Sequence, residues 1–105
     1  MENSTLLPRP MVLDEFLSLV GKGFVADCAP RPVELTLVEA SPDRHGGLPD
    51  RPPFILVFRS APDALLVSGS YAMRAEGFGP DLIYISEMAP PAGAAEGHYY
   101  QAVFN

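Results

Sequence analysis

The sequence predicts an all-β domain: a small antiparallel meander of about six strands that closes as a barrel or folds as a sandwich, led by one short N-terminal helix. Three observations carry this. Short apolar segments recur along the chain with turn formers between them. The 12 Pro and 9 Gly are scattered between those segments and do not form a low-complexity tract. Strands alternating with long helical patterns, the mark of a parallel sheet, are absent.

The elements follow in order. Residues 1–11 form a lead-in where Pro8 and Pro10 disfavour helix. A single β domain with its N-terminal helix is expected over 12–105. VLDEFLSLV (12–20) reads as the helix, with Leu13, Phe16, Leu17 and Val20 on an apolar face and Asp14, Glu15 and Ser18 opposite. Asp14 and Glu15 lie in the first turn, where the helix dipole favours acid. Gly21 is the expected left-handed stop. A face this wide on so short a helix must be covered, either by docking on a sheet or by filling a barrel end.

FVADC (24–28) and VELTLVEA (33–40) are strand candidates, the second alternating between Val33, Leu35, Leu37 and Glu34, Thr36. SPDRHGGLPDRPP (41–53) is a loop, in which His45 is expected to be solvated. FILVFRS (54–60) is apolar on both faces, as in a strand covered on both sides. SYAMRAE (70–76) and LIYISEM (82–88) flank the turn GFGPD, and HYYQAVF (98–104) is the closing strand. Alternation puts Tyr100, Ala102 and Phe104 on one face of that strand, with Tyr71, Met73, Leu82 and Tyr84 as their neighbours in the core. The opposite face is then Ile55, Val57, Ile83, Ile85, Tyr99 and Val103, the candidate interface.

Charge and composition exclude several functions. The net charge is −6 and the one lysine is Lys22, so no basic footprint for nucleic acid or anionic membrane exists. No apolar run approaches the roughly 20 residues of a membrane-spanning helix. MENSTLLPRPM lacks the basic and long apolar regions of a secretory leader, and a lone cysteine, Cys28, makes no internal disulfide. A cytoplasmic setting is expected.

Catalytic patterns are weak. Cys28, His45 and His98 lack zinc-ligand spacing, so no metal or other cofactor is expected. Ser68-Gly69-Ser70 is not a nucleophile elbow, and GFGPD lacks the lysine and helix of a phosphate loop. Asp27 beside Cys28 opposes thiolate formation. Glu34, Glu39, Glu76 and Glu87 read as a solvated face that blunts sheet edges. His98 reads as an exposed residue opening the last strand.

Several segments occur together in a telling order: FLSLVGKGFVAD, FILVFRS, LLVSGSYAM, LIYIS and YYQAVFN. Over residues 12–105 this order resembles a small bacterial domain-of-unknown-function family. That family shows an F-x-x-L-x-G-x-x-F start, an F-x-L-V-F-R-like strand, a G-T-Y-like turn and a Y-E-A-V-F-N-like end. Val67-Ser68 stands where Pro-Gln is usual, Ser86 where Pro is common, and Gln101 where an acid is usual. The resemblance implies no activity. Its loose link to phage-tail-collar-like proteins implies an assembly role.

The expected function is therefore a non-enzymatic protein-interaction or assembly module, docking on a protein partner or self-associating as a homo-oligomer. The alternative is a small-molecule-binding β-barrel.

Overall fold

A computed structural model describes residues 6–43 and 52–105. It contains one helix, α1 (Asp14–Leu17), and six strands: β1 (Gly23–Asp27), β2 (Val33–Pro42), β3 (Phe54–Ser60), β4 (Gly69–Ala75), β5 (Phe78–Met88) and β6 (His98–Phe104). The strands close a barrel in the order β1-β2-β3-β6-β5-β4, all neighbours antiparallel. The predicted all-β class with one short helix is what the chain adopts.

The barrel is two three-stranded meanders, β1-β2-β3 and β4-β5-β6, joined along both seams. β1 pairs with β4 at one seam, and β3 pairs with β6 through seven consecutive residues at the other. Between β3 and β4 the chain crosses one end of the barrel in the loop 61–68. Closure pairs each strand on both sides, although β2 beyond Leu37 toward β1 and most of β5 toward β6 lack ladder partners. A bulge between Leu37 and Glu39 on β2, and another opposite Met73–Ala75 on β4, supply local twist.

A six-stranded barrel is narrower than the eight-stranded kind whose interior side chains just fill, so large side chains suffice to pack it solid. Leu35, Leu37, Leu56, Phe58, Met73, Ile83, Ile85 and Tyr100 are all 2% exposed or less. Phe24 reaches across the interior and meets Phe58 edge-on at 5.3 Å between ring centroids.

α1 does not lie on a sheet face. It plugs the barrel end opposite the 61–68 loop. Phe16, with no exposed surface, sits 5.1 Å from Phe78, 5.8 Å from Phe54 and 6.1 Å from Phe104. Phe54 and Phe104, paired across β3 and β6, stack at 4.4 Å. The helical face differs from expectation: Leu13 and Leu19 pack against the core, while Leu17 and Val20 are 51% and 42% exposed. The regular helix spans four residues, so the periodicity of a longer helix does not apply past Leu17. The chain turns instead and enters β1 through Gly21, whose φ of 88° confirms the left-handed stop.

Arg9 clips the plug in place. Its Nη2 donates to Glu15 at 2.6 Å and its Nε to Asp81 on β5 at 3.0 Å, and the guanidinium lies over the Phe78 ring. Glu15 also accepts the Val12 N–H at 2.9 Å, which satisfies a backbone donor at the start of the turn.

Candidate interaction surface

The expected interface set divides. Ile83 and Ile85 are not on the outer face. They are 1% and 0% exposed and belong to the barrel core, while Tyr84 points outward with 60% exposure. The sequence grouped Leu82 and Tyr84 with the core, so the phase of β5 is the reverse of expectation. The physical reason lies in the strand itself. Every residue from Leu82 to Ile85 is apolar or aromatic, so alternation offers two equivalent phases. The register shift between Met73 and Ala75 also displaces β5 by one residue against β4, so parity does not carry through from Phe78.

The remaining four lie on the outer face of the β3–β6 seam. Ile55 stands opposite Val103 and Val57 opposite Gln101, with Tyr99 opposite Arg59. Two of them are already covered within the chain. Tyr99 is 4% and Val57 6% exposed. The β5–β6 loop, 89–97, is fastened beside Tyr99, whose hydroxyl donates to the Ala95 carbonyl at 2.6 Å. Arg59 Nη1 donates to the Glu96 carbonyl at 3.0 Å from the same face. Ile55 is half-buried, and Val103 stays 47% exposed.

The sequence missed two contributors to this surface. The β2 bulge leaves Val38 exposed on the outside. A bulge of this kind has no signature in an alternating sequence. The lead-in contributes as well: a groove of about 380 Å³ runs beside Val103, lined by Arg9, Pro10, Met11, Phe104 and Asn105. A second groove of about 360 Å³, lined by Met11, Val12, Leu13, Asp14, Pro42, Pro52 and Pro53, opens on the other side of Met11. Prolines line both because the chain enters and leaves the barrel end there in extended segments.

The end crossed by the 61–68 loop is polar where the α1 end is aromatic. The Tyr100 hydroxyl accepts the Leu66 N–H at 3.0 Å and lies 2.8 Å from Ser60 Oγ, which donates to the Ala64 carbonyl at 2.6 Å. His98 opens β6 as expected but is only half-exposed, and its Nε2 lies 3.0 Å from the Pro62 carbonyl. Ser60 and His98 are cross-strand partners, yet the hydroxyl proton of Ser60 is committed to a carbonyl. That geometry secures a loop and presents no activated nucleophile.

The Cys28 thiol contacts the Arg31 carbonyl at 3.3 Å, and Glu34, Glu39, Glu76 and Glu87 are exposed as expected. Among the described residues no three His, Cys, Asp or Glu converge as metal ligands, and His45 lies outside those residues. No described helix is long and apolar enough to cross a membrane.

The barrel, its helical plug and the closing strand all fall within the stretch 11–104, which matches the family model of the domain of unknown function DUF6916. The chain belongs to that family. No curated protein and no solved structure matches it. The interior of this DUF6916 domain is occupied by side chains, and each strand has a neighbour on both sides.

Proposed function

We propose that this domain is a non-enzymatic protein-interaction or assembly module. A single observation carries the reading: in a barrel that is closed, filled and plugged at both ends, the cross-strand pair Val103 and Ile55 leaves apolar surface on the outer β3–β6 face, next to the Met11 groove. Closure leaves little open edge for strand addition, so a face or a groove suits a partner better. Side chains such as these, with polar neighbours Gln101 and Ser41, suit the apolar centre and polar rim of an interface. The filled interior argues against an enclosed small-molecule ligand.

The proposed setting is a bacterial cytoplasmic assembly, with a phage-tail-like structure as the context to examine first. The lone cysteine and the family resemblance support that choice. The partner is a protein, or a second copy of this chain; nucleic acid is disfavoured by the charge of −6.

The test compares the wild-type chain with Val103→Asp and Ile55→Asp in pull-downs from the native host and in light scattering. A partner or homo-oligomer present with the wild type should be lost at least tenfold with either variant, while the thermal midpoint stays within a few degrees. A wild-type chain that captures nothing and stays monomeric, or a partner indifferent to both substitutions, overturns the reading.

A further inference from the structure

The loop 61–68 is held more firmly than closing a barrel end requires. Groups on four strands, β3 to β6, fix it in turn. Besides the bonds of Ser60 and Tyr100, His98 Nε2 lies 3.0 Å from the Pro62 carbonyl. The Tyr71 hydroxyl donates to the Val67 carbonyl at 2.6 Å, and the Glu87 N–H donates to Ser68 Oγ at 3.0 Å. Closure uses the side chain of Leu66, which is 5% exposed. It does not use Leu65 and Val67, which the same fixed backbone holds in water at 58% and 69% exposure. An apolar side chain on a loose loop must lose backbone freedom when it docks. On a loop already fixed by folding, that loss is behind it.

Beside Leu65 lies a cavity of about 100 Å³, lined by Leu65, Met88, Pro90 and Tyr99 together with Glu87 and His98. That is well below the roughly 300–1,000 Å³ of small-molecule sites and suits one side chain. Apolar walls and one carboxylate match a lysine or arginine, whose stem is apolar and whose head is cationic. The surrounding charge has the same sign. Glu87, Asp63 and Glu96 are exposed, and no described residue forms an ion pair with them. The cations at this end are directed elsewhere. Arg59 donates to the Glu96 carbonyl, and Arg74 pairs with Asp27. Arg31 lies on the β1–β2 loop, across the barrel mouth from β5 and β6. We propose that this end docks a cationic amphipathic segment of a partner protein. A lysine or arginine enters the cavity toward Glu87, and apolar side chains beside it cover Leu65 and Val67. A second copy of this chain is the wrong occupant, since its net charge is −6 and its one lysine, Lys22, lies at the opposite end. The inference is independent of docking through Val103 and Ile55.

The test uses two synthetic peptides, one with leucine and lysine at helical spacing and one with glutamate in place of each lysine. Each is titrated into the full chain while amide chemical shifts are followed by NMR. The lysine peptide should bind saturably and move the Leu65, Val67 and Glu87 amides first, and the glutamate peptide should not bind. Glu87→Gln, and separately the pair Leu65→Ser with Val67→Ser, should each weaken the lysine peptide about tenfold. Val103→Asp should leave its affinity unchanged, which separates this surface from the outer face. All four positions are on the surface, so thermal midpoints should stay near that of the wild type. Should the serine pair lower its midpoint, Glu87→Gln alone decides. A lysine peptide that binds wild type and Glu87→Gln alike is drawn only by net charge, and that result overturns the proposal. Shifts centred away from Leu65 and Glu87, or no saturable binding, overturn it as well.

Discussion

The two ends of the barrel are closed by different chemistry. At one end, Phe16 fills an aromatic socket and a salt-bridge cluster stands outside it; at the other, the 61–68 loop is held by hydroxyl and carbonyl groups around Tyr100. The aromatic end is stabilised by buried area, which is large but tolerant of direction. The polar end depends on a few directional bonds, each modest when made and costly when one partner is orphaned. A loop that crosses β6 and β5 with the Leu66 amide buried needs such a partner. The helical plug leans mainly on buried shape, with Glu15 taking up the Val12 N–H and Arg9 holding it from outside.

The largest expected effect comes from removing the strand common to both ends. Deleting residues 99–105 takes away β6, which lies between β3 and β5 and carries Tyr100 to one end and Phe104 to the other. The truncated chain should show no cooperative urea transition; a sharp one would mean that the ends close without the seam.

Phe16→Ala comes next. Emptying a fully buried aromatic site costs about 3–5 kcal/mol, read as a drop in the urea midpoint. Hydrogen exchange should accelerate first in β1 near Gly23 if the plug governs its own end. Uniform acceleration across β3 and β6 would instead mean the two ends are one cooperative unit.

At the polar end, Tyr100→Phe removes one hydroxyl and leaves the Leu66 amide without its acceptor. The expected loss is about 1–3 kcal/mol, accompanied by faster exchange of the Leu66 amide. An unchanged midpoint would show that the loop repacks and that the polar end does not depend on this bond.

The smallest effect is electrostatic. Its hydrogen bond from Arg9 holds the Glu15 carboxyl below the ordinary carboxylate range. Because the folded form is the more acidic, this contribution is present above the unfolded carboxylate range and is lost as pH falls through the lower folded value. The Arg9 side chain is 39% exposed, so solvent screening limits the clip to about 1 kcal/mol or less. Urea midpoints of Arg9→Ala and wild type should converge between neutral pH and about pH 3. A gap that stays constant with pH would assign the role of Arg9 to its packing over Phe78.

How much was legible follows from these same residues. β3 and β6 were readable to the residue because each is a continuous apolar or aromatic run bounded by turn formers. On β6 the inward phase of Tyr100, Ala102 and Phe104 was readable too. On β5 it was not, because Leu82 to Ile85 offer no polar residue to mark the solvent side. The helix was legible as an element, but its burial was not: a four-residue turn buries Phe16 and leaves Leu17 outside. Of the candidate surface, Val103 and Ile55 were recoverable from alternation. Val38 and the groove beside Met11 were not, since a bulge and a passing lead-in have no periodic trace.

The sequence by itself determined the class of this protein and the stretches that become strands, because period-2 patterning and turn residues are local properties of the chain. The net charge of −6 is likewise a property of the sequence alone. Only the tertiary structure decided which strands meet at the two seams, that α1 plugs an end, and which apolar residues remain in water. Those outcomes depend on closure, in which β1 meets β4 and β3 meets β6 across long separations, and no window of the sequence contains both partners.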